Sequence, residues 1–341
     1  MQYDLIKYDN TKLSTWRSCD LMGYLRHHLN LVQDASGKSA ALEYGGVWHL
    51  CMDDLYTHKD LMKTVLLWSE LYYPIFEQLE QTDPVNAAKH SVEMGATALK
   101  AYWEYWQDDI ESMELLAVEQ FFAMDLELNE SSSTCPDCNG EGNYWNRKTQ
   151  DQDDCRMCNG KGWIIGPMYC GKVDKVFRDK HSGLVVGMDH KTTSFLSSAT
   201  IAAFKVSQQF RGYVYWLKHH SPWKDECAEY FYYDLVLKTK TKYNPDGVPF
   251  FRDSTLAQES FLQEWLSDTI KHVKHVQQSI NIARATQHYA DLPRQNSNSC
   301  NNFNRICSYY DLCSSPREQR ATLIDQLYEI KEWNPLSEDE E

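Results

Sequence analysis

Apolar residues recur at helical spacing over residues 12–30, where Trp16, Leu21, Tyr24 and Leu25 form a stripe and Ser14 is the expected N-cap. Gly45-Gly46 precede a second helical run from Val47 to about Tyr73, with Pro74 after it, and a third runs from about Ala87 to Ile110. From Glu114 the pattern changes. Leu115–Val118 and Phe121-Phe122 read as a strand, continued at period two by Met124, Leu126 and Leu128. Strand character resumes at Met168–Arg178, turns at 179–183 and returns over Leu184–Lys191. A helix over about Ala199–His219, a Tyr- and Phe-rich strand over Ala228–Lys240 and a long helix over about Leu256–Tyr289 follow. Residues 129–166, opened by Ser131-Ser132-Ser133 and closed by Gly166-Pro167, interrupt this order as an insertion. The alternation predicts an α/β core with an N-terminal helical portion. The expected division is a helical portion over 1–110, a core over 111–255 containing the insertion 131–166, a C-terminal helix and cysteine segment over 256–330, and an acidic tail over 331–341.

Composition narrows the class. The chain has 341 residues, 42% hydrophobic and 13% aromatic, which excludes disordered and collagen-like chains. It lacks an apolar run of about 18 residues and the N-terminal pattern of a signal peptide, so the expectation is a cytoplasmic chain, bacterial or in a phage-infected host, with no membrane partner. Its 34 basic and 49 acidic residues give a net charge of −15, unfavourable for a nucleic-acid binder taken as a whole. The charge is uneven, however. Residues 199–224 hold Lys205, Arg211, Lys218 and Lys224 and no acid, so an anionic partner is expected there. Eleven cysteines in a reducing compartment point to metal rather than disulfides.

The residues with the most chemistry lie in the hairpin. Asp189 and Lys191 are two apart on a strand and share a face, and Asp174 on the neighbouring strand can reach it. Two converging carboxylates favour a hard cation such as Mg²⁺ or Mn²⁺, and a lysine beside them can position or deprotonate a water, a set suited to phosphodiester hydrolysis. D-x-K on a strand also occurs as a plain surface ion pair, so the rest of the chain matters. Gly46-Val47-Trp48-His49 matches a G-x-x-H helix motif. Glu119 lies on the first core strand, Gly171-Lys172-Val173-Asp174 matches G-x-(I/V)-D, Asp189-His190-Lys191 matches (D/E)-x-K, and Gln209–Tyr213 matches Q-x-x-x-Y.

In this order of motifs the chain resembles the RecB-like branch of the PD-(D/E)XK nuclease superfamily. The resemblance covers roughly residues 45–240, insertion excepted. It implies a restriction-endonuclease-like core, a mixed sheet flanked by helices, and a metal-dependent deoxyribonuclease, with exonuclease favoured. It implies that His49, Asp174, Asp189 and the His190 carbonyl ligate the cation, that Glu119 lies near the metal or the water, that Lys191 acts on the nucleophile, and that Gln209 and Tyr213 steady the site and the DNA backbone. The implied partner is DNA, as ends or single strands, with a recombination or replication protein as a further candidate, in recombination, repair or viral DNA processing. A catalytically silent DNA-end-binding subunit and a zinc-knuckle adaptor for a protein partner are the competing readings. Tyr213, Tyr215 and Trp216 on the basic helix are the aromatics expected to contact DNA.

Eight cysteines fall into two sets. Cys135, Cys138, Cys155 and Cys158 sit in two copies of C-x-x-C-x-G-x-G, a closed Cys₄ arrangement for structural Zn²⁺ that is similar to half of the zinc domain of DnaJ-type chaperones. Such a module serves either as a fold staple or as a contact for DNA or protein. Cys19, Cys300, Cys307 and Cys313 form the other set. Some RecB-like nucleases, of the AddB and CRISPR-associated types, hold a [4Fe-4S] cluster with one cysteine before the core and three after it. The Cys307–Cys313 spacing fits that pattern, but Asn304 stands where another cysteine is usual, and Cys300 substitutes. Zinc or unligated thiols are the alternatives. Cys51, Cys170 and Cys227 read as buried small hydrophobes.

Overall fold

The computed structural model describes residues 6–33, 40–126, 132–146, 151–193, 196–237, 250–286, 293–302 and 305–336. The expected end of the first strand at Leu128, the last residues of the 228–240 and 256–289 elements, and the tail 337–341 lie outside them.

Capping chemistry breaks the early helices where periodicity alone does not. After β1 (Lys7–Tyr8), α1 (Asn10–Ser18) is capped by Asp9, whose carboxylate accepts from the Lys12 N–H at 2.9 Å. Ser14 is therefore an interior residue. Cys19 is extended (φ −161°, ψ 118°), so it ends α1 and starts α2 (Asp20–His27), which leads to β2 (Leu31–Gln33). The second helical run is also two helices, α3 (Ala40–His58) and α4 (Leu61–Thr82). Lys59 turns the chain with φ of 54°, and Asp60 accepts from the Lys63 N–H. Gly45-Gly46 lie inside α3 and Pro74 inside α4, so neither marks a boundary. The short α5 (Pro84–Ala87) precedes α6 (Val92–Ser112), capped by Ser91.

The strands follow: β3 (Met113–Asp125), then β4 (Ser132–Thr134), β5 (Asn143–Asn146), β6 (Asp151–Asp154) and β7 (Trp163–Ile165) in the insertion, then β8 (Met168–Asp179) and β9 (Val185–Thr193). The expected helix over 199–219 is α7 (Ser198–Lys205) and α8 (Gln208–His219). Ser207 re-caps the chain by accepting from the Phe210 N–H. β10 (Tyr230–Leu237) is followed by β11 (Phe250–Leu256), a strand with no clear alternation in sequence, and by α9 (Glu259–Thr286). Among the described residues, no helix is long and apolar enough to cross a membrane.

Two compact units are assembled from segments distant in sequence. The first comprises Met1–Ser36, Phe121–Gly171 and Leu266–Glu340, and the second Gly37–Gln120 with Lys172–Trp265. The second unit is mixed α/β. β8 and β9 pair antiparallel, from Lys175 opposite Met188 to Arg178 opposite Val185. β9 and β10 pair parallel, which needs a crossover, and α7 and α8 supply it; β11 then pairs antiparallel with β10. Trp48, Trp68, Tyr72 and Tyr102 are fully buried together with Phe177, Met188 and Val236, so α3, α4 and α6 cover one face of this sheet. Gly95 is required there, because a Cβ would lie 2.0 Å from the Trp68 ring.

In the first unit, β1 pairs parallel with the start of β8, and β2 pairs antiparallel with Tyr328–Ile330. The segment after that strand is no free tail as far as it is described. Trp333 donates to Asp9, Asn334 accepts from the Lys7 ammonium, and Leu336 is buried among the insertion cysteines.

Candidate active site

Apart from Gly171, which ends a segment of the first unit, the hairpin motif residues singled out by the sequence lie in the second unit, and the strands bring the charged ones together. Lys172 and Asp174 alternate with Lys175 along β8, as Asp189 and Lys191 alternate with His190 along β9. Running the register on by one pair from Lys175 opposite Met188 sets Asp174 beside Asp189. Gly187 makes the strand fit: a Cβ there would meet the Phe231 ring at 2.3 Å and Leu217 of α8 at 3.1 Å.

Asp174 is 7% exposed and Asp189 1%. His49 Nδ1 is 3.1 Å from Asp174 Oδ2, the His190 backbone N–H donates to that same oxygen at 2.9 Å, and Lys191 Nζ is 2.7 Å from Asp189. Burial pushes the Asp174 carboxyl up, but the His49 charge and hydrogen bond outweigh it and hold the group well below its usual range. Asp189 moves the other way, to about 6, because burial and the Asp174 charge both oppose its ionisation. Burial pulls the His49 imidazole and the Lys191 ammonium down, yet the two aspartates raise both above their ordinary values.

Glu119 also belongs to this group. It sits on β3 with a φ of 49°, left-handed backbone that is uncommon for a non-glycine residue. Its carboxylate pairs with Lys172. Burial raises Glu119 to about 7 against the lowering effect of that lysine. Gln209 and Tyr213 meet each other on α8, the amide donating to the phenol at 2.8 Å.

Three further features were not singled out from sequence. Asp53, one helical turn after His49 on α3, holds the fully buried Lys175 at 2.8 Å. Its signal was the i, i+4 spacing from His49. The His190 side chain leaves the carboxylate face: its Nδ1 is 3.1 Å from the fully buried Asp234, so His190 serves the site through its backbone. Asp234 in turn bonds Tyr102, which bonds Tyr56, and Arg252 joins all three and Asp109. No spacing within the chain predicts this network, because it is assembled from α3, α6, β10 and β11. Tyr213 and Trp216 are each 6% exposed, so they pack in the core rather than present a stacking face, while Tyr215 packs beside Trp265.

The insertion cysteines lie in the first unit and converge. The sulfurs of Cys135, Cys138, Cys155 and Cys158 are all within 4.8 Å of one another and buried, a set able to hold a metal ion. The Cys135–Cys155 and Cys138–Cys158 sulfurs are 3.8 and 3.7 Å apart. A tetrahedral ion with 2.3 Å bonds to sulfur requires roughly that spacing, about 3.8 Å. The two knuckles are near copies: Gly142 N–H donates to Cys138 Sγ and Gly162 N–H to Cys158 Sγ, each at 3.2 Å. A Cβ on Gly142 would lie 2.3 Å from the Gly160 carbonyl oxygen, and one on Gly162 2.4 Å from that of Gly140, so each copy closes on the other's glycines.

Cys19, Cys300, Cys307 and Cys313 line a single small cavity together with Met22 and Asn296. Cys19 Sγ accepts from the Asn296 N–H at 3.3 Å, and the Cys307 N–H donates to the Cys300 carbonyl at 2.9 Å. Among the described residues, these sulfurs do not gather as closely as the insertion quartet does. Four thiols around a shared space are a donor set that an iron–sulfur cluster or a metal ion can take. Cys51 and Cys170 are buried and Cys227 half-buried; Cys170 packs in the same buried cluster as the insertion cysteines but is not one of the converging quartet. Comparison of the sequence with protein-family models and with curated proteins gives no match.

Proposed function

We propose that this protein is a divalent-cation-dependent DNA nuclease of the RecB-like type, with exonuclease action favoured. The observation that supports it most is the convergence at β8 and β9, where His49 lies 3.1 Å from Asp174 and Lys191 lies 2.7 Å from Asp189. His49, Asp174, Asp189 and the His190 carbonyl would hold Mg²⁺ or Mn²⁺, and oxygen-rich donors with one imidazole suit either ion. A cation bound there supplies charge stabilisation for the phosphoryl oxygens. The chain's own residues do the rest. Lys191 orients the attacking water, Asp53 and Lys175 fix α3 against the hairpin, and the Asp234–Arg252 network anchors β9 from behind. The insertion quartet would hold Zn²⁺, and Cys19, Cys300, Cys307 and Cys313 a [4Fe-4S] cluster.

The deciding experiment is digestion of 5′- and 3′-labelled single- and double-stranded DNA with Mg²⁺ or Mn²⁺. Wild type is expected to cleave, and Lys191→Ala to lose a factor of about 10² or more in rate while keeping its circular dichroism. Equal turnover by Lys191→Ala, or no cleavage by wild type with either ion, overturns the reading.

A further inference from the structure

Three lysines meet four carboxylates at the site, and their surroundings differ. Lys175 is fully buried against Asp53, with the Tyr56 ring 5.2 Å from its ammonium, so it is fixed in place. Lys191 is itself 35% exposed, but it is held by the buried Asp189 beside which the cation would bind, so it is committed to the reacting centre. Lys172, two residues before Asp174 on the same face of β8, is paired with Glu119, and both side chains reach solvent, at 22% and 28% exposure. Glu119 is kept beside it by left-handed backbone in the middle of a strand, a conformation that persists only where its surroundings impose it.

We propose that Lys172 is a substrate contact that grips a backbone phosphate of DNA next to the scissile one, and that Glu119 is the internal anion it exchanges for that phosphate. The inference rests on the nuclease reading and extends it to how the site admits its substrate. A partly exposed ammonium on the face of the metal carboxylates is where a polyanion arrives, and a lysine binds phosphate as a point charge without demanding one geometry. The Glu119 carboxylate lowers the cost of holding that lysine near the site between substrates. It also keeps the grip weak enough to let the strand move on, which repeated cleavage along one strand requires.

The test is fluorescence anisotropy of the whole chain with a fluorescein-labelled single-stranded DNA, without added Mg²⁺ or Mn²⁺ so that cleavage does not contribute, and without a chelator so that the zinc we assign stays bound, over a range of salt concentrations. Lys172→Ala should weaken binding about three- to tenfold and reduce the slope of log K against log salt by about 0.7, the value of one phosphate contact on a single strand. Lys172→Arg should restore both. Glu119→Gln should tighten binding in the wild-type background and lose that gain when combined with Lys172→Ala, since only an exchange makes the two non-additive. Lys172→Met, which keeps the length of the chain, replaces alanine if the smaller residue costs the fold. An unchanged affinity and slope, or equal tightening by Glu119→Gln in both backgrounds, overturns the proposal. If wild type still cleaves DNA in that case, only the role of Lys172 falls; if wild type neither binds nor cleaves, the nuclease reading falls with it.

Discussion

Cys135, Cys138, Cys155 and Cys158 come from one short stretch of chain, whereas Cys19 and Cys300, Cys307 and Cys313 come from its two ends. The sulfurs paired across the insertion are 20 residues apart, while the contacts that close the other set, such as Ser299 Oγ donating to the Ser18 carbonyl at 2.6 Å, span 281. Loop closure over the longer separation costs about 2 kcal/mol more. The protein meets that cost with ordinary contacts. Asn296 donates to Ser18 at 2.8 Å, Tyr309 to the Leu31 carbonyl and Tyr328 to the Ser308 carbonyl, both at 2.6 Å, and Tyr309 stacks on Tyr328. The insertion is tied to the rest of its unit as well, but by side chains at its margin: Asp137 pairs with Lys7 at 2.9 Å, and Arg156 and Asn159 each donate at 3.2 Å, to the Leu336 and Ala123 carbonyls. Its strands are three or four residues long, and its own contribution to the buried cluster is the four cysteines with Met157 and Ile164, packed on Ile6, Ala123, Met168, Cys170 and Leu336. The insertion quartet is thus the centre of its own short segment, whose shape a bound ion would set, whereas the other set closes a fold that is held by hydrogen bonds between distant segments.

The largest expected effects separate the two directly. Cys138→Ser should lose the zinc we assign, and with it a binding free energy on the order of 10 kcal/mol, so that residues 132–165 lose amide protection while the rest of the chain keeps its own. Cys19→Ser should instead remove the absorbance of the iron–sulfur cluster we assign and lower the stability of the whole first unit by about 5 kcal/mol, because a cross-link between distant segments is lost. Metal analysis together with hydrogen exchange reads both. Local loss in both variants, or global loss in both, would erase the distinction.

The sequence was most informative where chemistry is local. Both C-x-x-C knuckles, the D-x-K strand and the Q-x-x-x-Y helix were legible because spacing along one element fixes which side chains share a face. What it could not give was anything assembled across elements. Asp234, Arg252, Tyr56 and Tyr102 carry no signature, and their partners come from four different elements. Charge misled for the same reason. The stretch 199–224 is acid-free only along the chain, for Lys205 is paired with Asp253 at 3.0 Å and Lys218 with Glu229 and Glu259 at 2.7 and 3.2 Å. Helix boundaries failed at Cys19, Lys59 and Ser207, where a single residue's backbone or cap overrides an unbroken apolar stripe.

A smaller effect sharpens the comparison through pH. His27 lies on α2, the helix that Cys19 begins, and it is 3% exposed with neither ring nitrogen hydrogen-bonded among the described residues. Burial, helped by the charges of Lys12 and Arg26, pushes its imidazole down to about 3. The unfolded chain therefore takes up the extra proton first as pH falls. Stability is complete above about 6.5 and declines towards 3, by at most about 4–5 kcal/mol for this one group. Thermal melts of the native protein and of His27→Leu across that range check it, and the variant should show a flatter pH profile. Equal slopes for both proteins would mean that His27 is reached by water in the fold.

The smallest effect tests whether the two knuckles are equivalent. Asn139 and Asn159 hold the same place in the repeat, with φ of 50° and 49°, and asparagine tolerates that left-handed backbone better than most residues. They differ in one contact, since Asn159 Nδ2 donates to the Ala123 carbonyl at 3.2 Å. Asn139→Ala should cost about 1 kcal/mol through backbone strain alone, and Asn159→Ala about 1 kcal/mol more for the lost hydrogen bond. Asn139→Gly should cost nothing or stabilise, whereas Asn159→Gly should still pay for the missing donor. Competition with a zinc chelator ranks the four variants on one scale. If the two alanine variants release the ion equally, the Ala123 contact contributes nothing, and the insertion quartet is held by its own symmetric turns without help from β3.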